Sequence, residues 1–169
     1  MPFTPYHAGP NGLVGLLLYR WVNLPAIILV NIAVDLEPLI IILFKITKYP
    51  EHGFFHSYGG AMIISLLFVM VYEKIKKPMG LLMSAIGLKQ DNSFFSVVLG
   101  AVIGGAMHVT MDSMIYRDIM PLYPFEYNPI YGMMKPSQLR LFCLACFAAS
   151  VVVYFVRKFL KDKVIKPKA

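Results

Sequence analysis

The chain has 169 residues, of which 58% are hydrophobic and only 15% charged, and its mean hydropathy is +0.65. A soluble globular domain is about 45–50% apolar and about 25% charged, so this composition excludes an ordinary soluble domain. We therefore predict a single integral membrane domain that covers residues 1–169.

Apolar runs separated by polar or proline-containing links predict an all-α, polytopic membrane helix bundle. A short apolar helix over residues 11–22 comes first, and it is too short to cross a bilayer, which needs about 20 residues. Asn23 as N-cap and Pro25 in the first turn then mark the start of the first full span. The four predicted spans cover residues 24–46, 58–74, 92–116 and 138–160. A further apolar stretch, residues 79–88, predicts an interfacial helix.

The distribution of basic residues predicts the orientation of the bundle. A cytoplasmic C-terminus places 11 of the 16 Lys and Arg residues on the cytoplasmic side and 5 on the other side, in agreement with the positive-inside rule. We predict a multi-pass protein of the inner (cell) membrane whose basic cytoplasmic tail, about residues 157–169, contacts anionic lipid. This distribution does not indicate a nucleic-acid partner, despite the net charge of +7.

The third predicted span carries a polar stripe. Gly100, Gly104, His108 and Asp112 recur every four residues and therefore share one helix face. The two glycines favour close approach of another helix, and the imidazole and carboxylate follow them. Ionisable side chains within a span are costly and indicate a functional site. A hydrogen-bonded pair that only holds helices together is the alternative for His108 and Asp112.

The first predicted span contains two acidic residues beside a proline. Pro38 leaves the carbonyl of Val34 without its helical donor, so we predict a kink or break next to Asp35 and Glu37. The direction of the Glu37 side chain cannot be predicted for the same reason. Asn31 lies one turn before Asp35 and is a candidate to support a metal ligand from behind.

In the predicted topology, the polar residues gather at the non-cytoplasmic end of the bundle. All four histidines and most of the nine acidic residues lie there. Imidazole and carboxylate groups together are the ligand set of zinc, iron or manganese. We therefore predict a divalent-metal site at this end.

Four motifs follow one another within the first 125 residues or so. His7 comes after a short lead, Asp35 and Glu37 form an acidic motif, and a His- and Ser-containing motif follows them. His108 and Asp112 then form a His-x-x-x-Asp motif before an apolar, proline-containing segment. This order resembles the inner-membrane-associated, metal-dependent hydrolases, a family described as LexA-binding hydrolases and distantly similar to zinc-dependent phospholipase C.

The third of these motifs differs from the pattern of that family. The family has His-Arg-Gly-x-Thr-His-Ser, whereas this chain has Glu51 in place of the first His and His52 in place of the Arg. The second His of the motif is retained as His56. Glutamate can still ligate a metal, but the loss of the arginine removes a group suited to phosphate.

The resemblance implies a membrane-embedded, metal-dependent hydrolase whose site uses zinc, with manganese or iron as alternatives. Its substrate would be a phosphoester of a lipid or lipid-linked molecule at the outer face of the membrane. Glu37 and Glu51 would be the catalytic carboxylates that accept a proton from the attacking water. The implied metal ligands are His7, Asp35, His52, His56, His108 and Asp112.

Other readings of the same residues remain open. Glu51 and His52 lie in a hydrophilic link, where ordinary solvated polarity accounts for them equally well. The altered motif favours a non-catalytic metal-binding subunit of a larger membrane complex. The protein partners that we consider are a larger membrane complex or further copies of the chain in a homo-oligomer. A small ion-coupled carrier is the third reading, because carboxylates within spans and a proline-broken helix also build transport sites.

Overall fold

The computed structural model describes residues 5–47, 49–90 and 93–165. These residues form α-helices, two short 3-10 helices and connecting turns, and the described part contains no strand. The predicted start of the third span at residue 92, the opening residues 1–4 and residues 166–169 of the predicted basic tail lie outside the described residues. The helices are α1 (Ala8–Leu17), α2 (Leu24–Val34), α3 (Leu36–Leu43), α4 (Tyr58–Ala85), α5 (Phe94–Ser113) and α6 (Pro136–Ile165).

Among the described residues, four segments are long and apolar enough to cross a membrane, which confirms the predicted all-α bundle of spanning helices. They are Leu24–Leu43, Tyr58–Ala85, Phe94–Ser113 and Pro136–Leu160. The first of them contains both α2 and α3. The preceding helix α1 has 10 residues, so it is about 15 Å long and does not cross the bilayer.

The polar residues before the spans cap them. The side chain of Asn23 accepts a hydrogen bond from the backbone N–H of Ala26 at 3.0 Å, and Pro25 lies in the first turn of α2, as predicted. Ser57 caps α4 by accepting from the N–H of Gly60 at 3.0 Å. Such caps satisfy backbone donors that have no partner within the helix, and they define where each helix begins.

The segment after Pro78 corrects one prediction. It does not form the separate interfacial helix predicted for residues 79–88 but continues α4 to Ala85, so that α4 has 28 residues. A proline inside a helix removes one backbone hydrogen bond and is normally unfavourable. Here apolar packing offsets that cost, because Met83 is buried in a cluster with Leu16 at the end of α1.

The glycine stripe on α5 brings α5 into close contact with α2, as predicted. A Cβ atom at Gly104 would collide with the backbone carbonyl of Ile27, and one at Gly100 would collide with that of Asn23. Only glycine therefore permits this separation of the two helices. The close approach brings the polar residues farther along α5 next to those of α2.

The spans differ in how much of their surface is buried within the bundle. In the first and third spans half of the residues are buried, whereas in the α6 span the share is 11%, so α6 exposes most of its apolar surface.

An apolar core cluster packs between α2, α4 and α5. Its buried members are Ala26, Val30, Val69, Tyr72, Val97 and Ala101.

Candidate metal centre

Four buried side chains converge at the predicted polar end of the bundle. One ligand atom each from Asp35, His56, His108 and Asp112 lies within 4.8 Å of the other three. The four residues are at most 5% exposed. These residues were among the candidate ligands of the sequence analysis, and the structure places them together in a group that can hold a metal ion.

Local sequence features position each member of the group. Asp35 lies at the break between α2 and α3, three residues before Pro38, where the sequence predicted an interruption. His56 is the last residue of the 3-10 helix Phe54–His56, directly before the cap of α4. His108 and Asp112 lie one turn apart on α5 and therefore point to the same side.

The distances between ligand atoms match those around a small divalent ion. Nε2 of His108 lies 3.2 Å from Oδ2 of Asp112 and 3.4 Å from Oδ1 of Asp35. Nε2 of His56 lies 3.9 Å from Oδ2 of Asp112. A tetrahedral ion with ligands at about 2.1 Å separates them by about 3.4 Å. The three distances given are within about 0.5 Å of that value, and the other pairs, which lie within 4.8 Å, would have to approach it for all four groups to ligate one ion.

The outer nitrogen of each of the two imidazoles faces an oxygen atom. Nδ1 of His56 lies 3.0 Å from Oε2 of Glu37, and Nδ1 of His108 lies 3.3 Å from Oδ1 of Asn31. A carboxylate or amide oxygen can only accept a hydrogen bond, so both Nδ1 atoms carry the proton. In the neutral rings Nε2 then presents a lone pair towards the carboxylates, as in metal-binding histidines whose other nitrogen is hydrogen-bonded.

The inner atoms of this group lack hydrogen-bond partners among the described residues. Nε2 of His56, Nε2 of His108 and Oδ1 of Asp112 are buried and make no hydrogen bond, although buried polar atoms normally have one. A purely structural His108–Asp112 pair would leave Nε2 of His56 unexplained. A divalent cation would satisfy both imidazoles and both carboxylates, so the residues present fit such an ion.

His7 lies at the edge of the four-residue group. Its Nε2 is 3.4 Å from Oδ1 of Asp112, and its ring stands edge-on to that of His108 with 5.0 Å between centroids. Burial holds the pKa of His7 below its usual value, although the Asp112 carboxylate opposes this effect. His7 therefore approaches Oδ1 of Asp112, whereas His56 and His108 approach Oδ2.

Asn11 is a site residue that the sequence analysis missed. Its side-chain N–H group donates to Oδ1 of Asn31 at 2.8 Å and to the backbone carbonyl of His7 at 2.9 Å. It thereby ties α1 to the amide that supports His108. The spacing of Asn11 in the sequence could have indicated this role. Asn11 follows His7 by one helical turn, just as Asp35 follows Asn31.

Glu37 lies behind His56 and not beside the inner ligand atoms. Its Oε2 faces Nδ1 of His56, on the far side of the ring from Nε2. Its Oε1 accepts hydrogen bonds from the Tyr49 hydroxyl at 3.1 Å and from the N–H of Phe55 at 3.3 Å. These contacts suit a carboxylate that orients His56, and the proton-accepting role of Glu37 stays a prediction.

His52 and Glu51 lie outside the four-residue group. Nδ1 of His52 is 2.9 Å from Oδ2 of Asp118, and its ring packs on Tyr116 with 4.3 Å between centroids. The His52 ring also stands edge-on to that of His56 at 4.9 Å. Burial, together with Asp112 and other nearby carboxylates, raises the pKa of Tyr116 to about 12, so its phenol stays protonated. Glu51 is exposed, and its catalytic role stays a prediction.

Two cavities adjoin the centre. One has a volume of about 330 Å³ and is lined by His7, Tyr116 and Arg140 among others. The second is an apolar groove of about 640 Å³ between α3 and α4, and Glu37 and Phe55 contribute to its wall. A residue that contacts the ligand group lines each of them: His7 lines the first, and Glu37, which faces His56, lines the second.

No protein-family model, curated protein or solved structure matches this chain.

Proposed function

We propose that the chain is a membrane-embedded, metal-dependent hydrolase that cleaves a phosphoester of a lipid or lipid-linked molecule. The observation that carries the proposal is the convergence of two imidazole Nε2 atoms and two carboxylates, with the Nδ1 atoms of both rings held by oxygen acceptors. The resemblance to metal-dependent membrane hydrolases supports the same conclusion.

Asp35, His56, His108 and Asp112 would hold the ion, with zinc expected first and manganese or iron as alternatives. A divalent ion at this position would supply an activated water and polarise a phosphoryl oxygen. Glu37 and Asn31 keep the two imidazoles in the orientation and tautomer that binding requires.

The cavities beside the centre support an amphiphilic, anionic substrate. Arg140 supplies a positive charge to the cavity that reaches His7, and guanidinium groups bind phosphate well. This residue offers a partial replacement for the arginine missing from the third motif. The groove at Glu37 is lined almost entirely by apolar side chains, which suits an acyl or isoprenoid chain.

An ion-coupled carrier fits the arrangement less well. A carrier needs a path through the membrane, and polar groups must line this path on both sides of the binding site. Here an apolar cluster that includes Val30 and Ala101 lies directly beyond the ligand group within the bundle. The polar ligands are therefore grouped at one end of it.

The test combines metal content and turnover of protein purified in detergent without chelator. We expect close to one zinc, manganese or iron ion per chain and release of phosphate-containing products from a mixed phospholipid extract. Asp112→Asn and His108→Ala should each lower turnover by about a thousandfold, because activation of the attacking water would be lost.

Asp118→Asn is the matched control, because it removes a carboxylate that also faces an imidazole Nδ1 but lies outside the four-residue group. It should keep both metal and activity. Metal in the parent without turnover of any phosphoester, together with copurifying membrane proteins, would favour the non-catalytic subunit. A parent without metal would refute the metal centre itself.

A further inference from the structure

A third cavity, of about 500 Å³, lies at the end of the bundle opposite the metal centre. Three separate segments form it: the turn after α1, the link between α4 and α5, and the last turns of α6. Its volume is within the range of sites for small molecules, about 300–1,000 Å³. The proposed hydrolase chemistry uses none of these residues.

Hydrogen bonds hold the three segments in place. The hydroxyl of Tyr19 donates to the backbone carbonyl of Lys89 at 2.8 Å, and the hydroxyl of Tyr154 donates to that of Ile86 at 2.8 Å. The side-chain amide of Gln90 donates to the carbonyls of Tyr19 and Val22 at 2.9 and 2.8 Å. The cavity is therefore a built feature that joins α1, the α4–α5 link and α6.

The described lining of the cavity carries four cationic side chains and no carboxylate. The cations are Arg20, Lys89, Arg157 and Lys158. Like charges that line one cavity repel one another, and an anion bound among them would lower that repulsion.

Arg157 is held by two described contacts. Its Nη1 donates to the backbone carbonyl of Leu16 at 2.9 Å, and its guanidinium lies over the Tyr19 ring, 4.4 Å from the centroid. One of its five N–H donors is used in that bond, which leaves others for a ligand. A guanidinium fixed in this way loses little conformational freedom on binding phosphate, for which its planar fork is suited.

We propose that this cavity binds a phosphate group, through Arg157 with Lys89 and Lys158. The cavity lies where the spans of α4 and α6 end, at Ala85 and Leu160, and the end of a span is the depth at which lipid headgroups are expected. On the side predicted to be cytoplasmic, basic pockets at this depth bind anionic lipid headgroups. Free phosphate in solution offers the same chemistry.

Native mass spectrometry of the full chain tests this proposal. The protein is extracted from bilayers of phosphatidylcholine containing phosphatidylglycerol, and from phosphatidylcholine alone with inorganic phosphate added. We expect retained phosphatidylglycerol near one molecule per chain. Lys89→Gln/Lys158→Gln should weaken retention about thirtyfold, since each basic residue near an anionic headgroup contributes a factor of roughly five. Arg157→Gln should weaken it at least as much.

Lys74→Gln/Lys77→Gln is the matched control, because it removes two exposed charges of α4 that do not line the cavity. It should leave retention unchanged, and all variants should keep the metal content of the parent. If inorganic phosphate binds but the lipid does not, the site takes free phosphate. Equal losses in the control and the cavity double variant would overturn the proposal, as would full retention in the cavity double variant. The cavity lysines are exposed, so that variant should fold even if Arg157→Gln does not.

Discussion

Removal of the Glu37 carboxylate separates the two roles that this residue could have. As a support of His56, it fixes the proton on Nδ1 at 3.0 Å and leaves Nε2 for the metal. As a general base, it would act on the attacking water and contribute little to metal affinity. Glu37→Ala distinguishes these roles, because support and proton transfer change different measured quantities.

The structure favours the supporting role, and it gives the expected size of the effect. Loss of a partner that orients a metal-binding histidine typically weakens metal binding about 10–100-fold, or about 1.4–2.8 kcal/mol at 1.4 kcal/mol per tenfold change. Glu37→Gln keeps an oxygen that can face Nδ1 of His56, so its metal affinity should fall by only about tenfold, the lower end of that range. The hydrogen bonds from Tyr49 and Phe55 should weaken less in Glu37→Gln than in Glu37→Ala.

The assay is competition for zinc with a chelator of known affinity, carried out beside turnover at saturating zinc. Asp118→Asn again serves as the control, because its carboxylate lies 2.9 Å from Nδ1 of His52, outside the ligand group. Unchanged zinc affinity in Glu37→Ala with a thousandfold loss of turnover would refute the supporting role and favour the general base. Complete loss of zinc would instead indicate that Glu37 is itself a ligand.

Four further outcomes are expected. Asn31→Leu should weaken zinc binding about 10–100-fold in the same competition, because Nδ1 of His108 loses its acceptor. Gly104→Ala should lower the free energy of unfolding by about 2–3 kcal/mol through its collision with the Ile27 carbonyl, whereas Gly12→Ala, which meets only ordinary contacts, should not. Removal of metal should lower the thermal midpoint, since zinc at a hundred times its Kd stabilises the fold by about 2.7 kcal/mol. A reporter fused to the C-terminus should be active only in its cytoplasmic form, and activity of an exported reporter would reverse the predicted orientation.

Much of the fold could be predicted because its signals are local. The cap at Asn23, the break beside Pro38 and the glycine stripe that includes Gly104 depend on residues at most a few turns apart. The prediction of a separate helix over residues 79–88 was wrong, because it took Pro78 to end α4. The cost of a proline within a helix is visible in the sequence. The packing of Met83 that offsets this cost joins α4 to α1, and no local pattern shows it.

The candidate site could be predicted only in part for the same reason. His108 and Asp112 share a face by spacing alone, but their meeting with His56 depends on how three separate elements pack. The roles of Glu37 and Asn11 depend on side-chain direction, which the break at Asp35 and the position of α1 determine. The membership of the four-residue group could therefore be identified only from the tertiary structure. Its location at one end of the bundle could be predicted from the sequence.

The balance of charge in the buried group is the strongest reason to expect a divalent ion. Asp35 and Asp112 are two carboxylates in a low-dielectric interior, where their mutual repulsion costs several kcal/mol. The imidazoles of His56 and His108 have their Nδ1 protons directed outward, so as neutral ligands they bring no charge to the centre. One divalent ion cancels the two negative charges and gives both Nε2 atoms a partner. A single proton on one ring would leave one negative charge uncompensated. A proton on each ring would balance both charges, but it would place two imidazolium cations with their centroids 5.4 Å apart, where like charges repel. One divalent ion compensates all four side chains without that repulsion.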